Sequence, residues 1–198
     1  MNPPSASDSS SRPIRVLLAA GGTGGHIYPA IALAEALRAA APGIEIQFCC
    51  GSRPTELQIY SRMGIQPWVL PVSHHRPGLR ENWRFLTQMI GSWRMARRLL
   101  KAHPVDVAVG FGSYVSIPPL LAARRTGAKL ALHEQNVHAG SANRSLKRFA
   151  ARIAVAEEPA PPQFPKGKTV VVGNPVRAEM LIEHDRAEAR RYFRLKPD

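Results

Sequence analysis

His26, Tyr114, Glu134, Asn136 and Arg177 have the clearest chemical potential in this sequence, because each closely follows an apolar run and stands in or beside a cluster of glycine and polar residues. The imidazole of His26 comes straight after Gly21-Gly22-Thr23-Gly24-Gly25, where it can act as a base or donate a hydrogen bond to a ligand. A local cap or packing role is the competing reading. Glu134 and Asn136 stand on either side of one residue and offer a carboxylate and an amide suited to proton transfer or hydroxyl recognition. A Glu that binds the N–H groups of a neighbouring loop fits that spacing equally well. Arg177 follows Gly173-Asn174-Pro175-Val176, just inside an expected helix, and can hold a phosphate in its planar donor fork or be an ordinary surface charge. Tyr114 ends Gly110-Phe111-Gly112-Ser113 and can reach a sugar or phosphate, or simply close a strand-to-helix turn.

The glycines around position 23 narrow the chemistry. Gly21, Gly22, Gly24 and Gly25 cost backbone entropy, and close approach of the main chain to a ligand is the use that offsets it. The loop leads into a helical pattern with Pro29 in its expected first turn, so free N–H groups and the helix dipole face whatever lies above. This is a phosphate or oxyanion site in outline. The loop does not close on the Gly-Lys-Ser/Thr of a Walker motif. A dinucleotide fingerprint fails too: position 27 is Ile27, and the next strand ends Cys49-Cys50-Gly51 with no acidic residue.

Positioning such groups requires an alternation of strands and helices, and the hydropathy pattern supplies one. Strands are expected at 14–20, 44–50, 67–72, 105–109, 129–133, 153–156 and 169–172, with helices near 30–40, 56–63, 82–102, 117–125, 142–151, 175–182 and 187–193. That order predicts an α/β fold, a Rossmann-like parallel sheet with helices on both faces. Ligands in such sheets bind beyond the carboxyl ends of the strands. All four polar or glycine-rich clusters fall at those ends, which predicts one composite site.

The composition sets outer bounds. Of 198 residues, 44% are hydrophobic, enough for a buried core, and 27 Lys and Arg against 14 Asp and Glu give a formal charge of +13, calling for an anionic partner. Cys49 and Cys50 are adjacent and point to opposite strand faces, which suits a reducing compartment better than a disulfide. Residues 1–13 read as a loose Ser- and Pro-rich tail, and no apolar run is long enough to span a bilayer. His74 and His75 are adjacent and no Asp-x-Asp pair occurs, so no protein-held metal is expected. From Arg80 to Lys101, six Arg or Lys stand against one Glu, with apolar positions 86, 89, 90, 93, 96 and 100 at helical spacing for packing on the sheet. Leu79, Arg80, Trp83, Arg84 and Phe85 are the end expected to meet an anionic membrane surface. No nucleic-acid module is recognisable.

Gly21-Gly22-Thr23-Gly24-Gly25-His26 with Pro29, Gly110-Phe111-Gly112-Ser113-Tyr114-Val115-Ser116, His133-Glu134-Gln135-Asn136 and Gly173-Asn174-Pro175-Val176-Arg177 together closely resemble the MurG-type members of glycosyltransferase family 28. Those are peripheral membrane enzymes that move N-acetylglucosamine from its UDP donor to lipid I, giving the peptidoglycan precursor lipid II. The resemblance implies the amino-terminal half of a GT-B fold: a tail at 1–13, an acceptor and membrane domain at 14–178, and a linker helix at 179–198 leading to a nucleotide-binding domain supplied elsewhere.

By the same resemblance, His26, Glu134 and Tyr114 are the expected catalytic or acceptor-handling groups. Thr23, Gly24, Gly25, Asn136 and Arg177 would contact the donor sugar and pyrophosphate, and Gly21, Gly22, Gly112 and Ser113 would form the acceptor and phosphate loops. Transfer would invert the anomeric centre through attack by the acceptor's 4-hydroxyl, with His26 as base and no cofactor, at the cytoplasmic face of the bacterial inner membrane. Two departures stand out: Ser113 where the family has a second glycine, and His74-His75-Arg76-Pro77 enlarging a loop that is short in relatives. A membrane-recruiting subunit without chemistry is the alternative function, and retention of polar groups at every strand end favours the catalytic one.

Overall fold

A computed structural model describes residues 12–72, 78–158, 160–182 and 185–196. The tail before residue 12 and the segment His74-His75-Arg76-Pro77 lie outside them. The chain forms β1 (Arg15–Ala19), α1 (Gly24–Ala40), β2 (Glu45–Cys50), α2 (Pro54–Arg62), β3 (Trp68–Val69), α3 (Leu79–Ala102) and β4 (Val107–Gly110). It continues with α4 (Ile117–Arg125), β5 (Lys129–Glu134), α5 (Ser141–Leu146), β6 (Arg152–Val155), β7 (Thr169–Val171) and α6 (Arg186–Tyr192). The strands make one seven-stranded sheet in the order β3-β2-β1-β4-β5-β6-β7, with every neighbouring pair parallel.

Both sheet faces are covered, which is why the central strands are continuously apolar instead of alternating with polar residues. On β1, Leu17 and Ala19 enter a core with Ala96 and Leu100 of α3 and Leu120 of α4. Val16, Leu18 and Ala20 point the other way, against Ile27, Ala30, Ile31 and Ala34 of α1 and Tyr60 of α2. Removing a fully buried leucine such as Leu17 or Leu120 from this packing would cost about 2–5 kcal/mol.

Several expectations need correction. The inward face of α3 carries Phe85, Met89, Ser92, Trp93, Ala96 and Leu100, whereas Leu86 and Ile90 are exposed. A small buried hydroxyl, Ser92, thus replaces an aliphatic position of the expected stripe, because α3 lies close against α4. The expected helix at 142–151 stops at Leu146, and the one at 175–182 is only a 3-10 turn, Ala178–Leu181. Pro29 sits inside α1 beyond its first turn, so the Gly25 carbonyl has no N–H donor from position 29. Gly167-Lys168-Thr169, a Gly-Lys-Thr away from the glycine loops, closes a 3-10 turn and enters β7 instead of opening a helix, so it is no phosphate loop.

Candidate active site

The strand order reverses between β1 and β4, and this is where a parallel sheet leaves a crevice beyond its carboxyl edge. Ala19 pairs with Gly110 at the ends of those two strands, so the loops that follow them face each other across the crevice. Gly22 (φ +88°) and Gly112 (φ +90°) both adopt the left-handed conformation that favours glycine. A Cβ on Gly22 would lie 2.9 Å from Ser113 Oγ, and one on Gly112 would lie 2.9 Å from His26 Cδ2. The backbone of each loop therefore lies close to a side chain of the other, Gly22 to Ser113 and Gly112 to His26.

Thr23 is the extended residue before α1, and Gly24 and Gly25 open the helix. Their N–H groups belong to the unpaired first turn and have no partner among the described residues. They are free to meet an anion, with the positive end of the α1 dipole behind them. His26 Nδ1 lies 3.3 Å from Thr23 Oγ1. Burial lowers the His26 pKa from its ordinary value, with the Glu134 charge acting in the opposite direction. The neutral imidazole is the form a base needs at neutral pH.

Glu134 closes β5 and is buried. Its Oε1 accepts from Asn136 N at 3.2 Å and Asn136 Nδ2 at 2.9 Å; its Oε2 accepts from Gly140 N at 2.9 Å and Asn143 Nδ2 at 3.0 Å. Of the two readings open for Glu134, the geometry matches the one in which it gathers the N–H groups of a neighbouring loop. Asn136, by contrast, is exposed beside the crevice. Next to Glu134, the His133 pKa is lowered, first by burial, against a hydrogen-bond contact with the Gly173 carbonyl at 3.2 Å.

Tyr114 starts a 3-10 turn after the second loop and is exposed; its hydroxyl accepts from Ser141 Oγ at 3.3 Å. Phe85 packs edge-on against the Tyr114 ring, centroids 5.5 Å apart, and half-buried against the core. It turns inward, so the outward apolar surface of α3 is made by Leu79, Trp83, Leu86, Ile90 and Met95, with Arg80 and Arg84 also exposed. Further along, Arg97 lies over the Trp93 ring, and Arg124 and Arg148 lie over Phe149. Arg177 stands before a 3-10 turn instead of inside a helix, stacked on the Tyr28 ring at 4.4 Å and paired with Glu179 at 2.5 Å. Tyr28 belongs to α1, so Arg177 is held next to the first glycine loop.

Glu56, Asn143 and Tyr28 were not singled out in the sequence, yet each touches a site loop. In the sequence Glu56 is only the first residue of the helix expected at 56–63, and no local signal sets it apart. Among the described residues, no group of three or more His, Cys, Asp or Glu is arranged to hold a metal.

Residues 16–155 match the glycosyltransferase family 28 N-terminal domain. The chain belongs to that family. Its similarity extends to proteins named UDP-N-acetylglucosamine--N-acetylmuramyl-(pentapeptide) pyrophosphoryl-undecaprenol N-acetylglucosamine transferase. The one from Cytophaga hutchinsonii is 37% identical over 94% of this chain and 51% of its own length. That from Bacteroides fragilis is 36% identical over 100% of this chain and 53% of its own. This family 28 domain thus spans about half the length of the curated relatives it matches. Among solved structures, the MurG of Acinetobacter baumannii is 30% identical with a TM-score of 0.62, covering 89% of this chain and 47% of that one. A UDP-GlcNAc 2-epimerase from Neisseria meningitidis, 18% identical with a TM-score of 0.61 over 81% of this chain and 46% of that one, shares the fold alone.

Proposed function

We propose that this family 28 domain is the acceptor and membrane half of an inverting transferase that moves N-acetylglucosamine from UDP-N-acetylglucosamine to the 4-hydroxyl of lipid I. The observation that carries the reading is the meeting of the two glycine loops on His26 at the point where the sheet order reverses. In this scheme His26 takes the proton from the attacking hydroxyl as the bond to the anomeric carbon forms and UDP leaves with the electron pair. The Thr23, Gly24 and Gly25 N–H groups and Arg177 stabilise phosphate charge, and Asn136 and Tyr114 bind hydroxyls. Glu134 acts through the loop it holds, because its carboxylate oxygens are occupied by that loop's N–H groups. Residues 179–198 lead to a second domain that carries most of the nucleotide.

The domain works at the cytoplasmic face of the inner membrane. No helix among the described residues is long and apolar enough to cross a membrane. Leu79 and Trp83, 83% and 69% exposed among arginines, support a peripheral contact in which aromatic and aliphatic groups enter the headgroup region while cations meet acidic lipid. The Arg97–Trp93 and Arg124–Phe149 pairs extend that surface along α3 and α4. The test is transfer of labelled N-acetylglucosamine to lipid I in detergent micelles by this chain mixed with a separately supplied carboxyl-terminal domain. Product in the mixture supports the reading. Lipid binding without product favours a recruiting subunit that has no chemistry.

A further inference from the structure

We infer that Glu56 is a positioning residue: its buried carboxylate splints the first glycine loop and thereby fixes where Thr23 and His26 stand. Gly22 N donates to Glu56 Oε1 at 2.8 Å and Gly51 N donates to Oε2 at 2.7 Å, so one side chain ties the loop after β1 to the loop after β2. Glu56 is 0% exposed, and its surroundings leave room for nothing larger than glycine. A Cβ on Gly21 would come within 2.6 Å of Oε2, and one on Gly51 within 3.0 Å.

The rest of the same α2 face does related work. Tyr60, one turn after Glu56, donates its hydroxyl to the Ala20 carbonyl at 3.0 Å, and Arg53 donates to the Gly22 carbonyl at 3.2 Å. Residues 20 to 22 are thus held at three points by one short helix and the residue that precedes it. Gly22 carries φ +88° and precedes Thr23, whose hydroxyl meets His26 Nδ1. The Gly22 N–H is consumed by the carboxylate and is not available to a ligand. A loop of four glycines would otherwise sample many backbone states, and restricting it beforehand reduces the ordering cost at the moment of binding.

This rests on the proposed role of His26 at the crevice, but its test reads the chain by itself, so failure of the transferase reading leaves it decidable. NMR would follow the titration of His26 and His133 and the hydrogen exchange of the Gly22 and Gly51 amides in the unmodified chain, in Glu56→Gln and in Glu56→Asp. In the unmodified chain both amides should exchange at least about tenfold more slowly than an open-loop amide. Glu56→Gln turns an NH2 group toward one of two N–H donors, so exchange at that amide should rise about tenfold and, with the tie between the two loops broken, the His26 midpoint should move up as the half-buried ring becomes more exposed. The sign is decisive: loss of the negative charge alone would move that midpoint down. Glu56→Asp keeps the charge but is one methylene shorter, and should lie between. His133 should not move. Unprotected Gly22 in the unmodified chain, which needs no variant to fold, or a His26 midpoint that falls or stays put in Glu56→Gln, would overturn the inference.

Discussion

His26 and Gly112 interlock: a Cβ added to Gly112 would lie 2.9 Å from His26 Cδ2 and 3.1 Å from Nε2, at a backbone φ of +90°. The imidazole that approaches the crevice from the first glycine loop is therefore seated on the backbone of the second. Gly112→Ala combines left-handed backbone strain with a collision, and should lower stability by about 2–3 kcal/mol in urea denaturation. A denaturation midpoint within error of the unmodified chain would show that the two loops are not in contact.

Ser113 invites the opposite experiment. Its φ of 64° and ψ of 151° place an L side chain in territory that only glycine occupies readily. Relief of that strain outweighs the added freedom of glycine in the unfolded chain, so Ser113→Gly should stabilise by about 1 kcal/mol. A lower denaturation midpoint would mean that the hydroxyl near Gly22 contributes more than the strain costs.

Glu134 gathers four N–H donors from three residues of the following loop and helix. Glu134→Gln replaces one acceptor oxygen by a donor and leaves two of those N–H donors unmatched, at about 1–3 kcal/mol. Equilibrium denaturation measures this directly. An unchanged midpoint would remove Glu134 from its part in ordering that loop.

The pH dependence follows from two imidazoles. His26 and His133 both have pKa values below their ordinary 6.5, chiefly through burial. The unfolded chain then binds more protons than the folded one as pH drops below about 6.5, so folding stability falls in that window and is restored above it. Urea midpoints compared at pH 7.5 and 5.5 should be lower at the acidic value. Equal midpoints in the unmodified chain would contradict rings held neutral by the fold.

The sheet was legible in the sequence because continuous apolar runs bounded by glycine and polar clusters report strands covered on both faces. The positions of His26, Tyr114, Asn136 and Arg177 at strand ends followed from those same boundaries. What the sequence did not disclose was non-local. Glu56 meets Gly22 across 34 positions, and nothing in its own neighbourhood distinguishes a buried clamp from a solvated helix acid. The inward face of α3 was misjudged for a similar reason: Ser92 is buried because α4 lies close, while Ile90 remains outside. The helix expected at 175–182 would include Arg177, but Arg177 is extended, with φ −66° and ψ 146°, and only a 3-10 turn follows it.

The most direct test of the account is transfer of labelled N-acetylglucosamine to lipid I by this chain with a supplied carboxyl-terminal domain, with the unmodified chain and His26→Ala compared side by side. The account predicts product from the unmodified chain in the mixture, near-complete loss with His26→Ala, and equal binding of both to vesicles containing anionic lipid. Undiminished transfer by His26→Ala would contradict it.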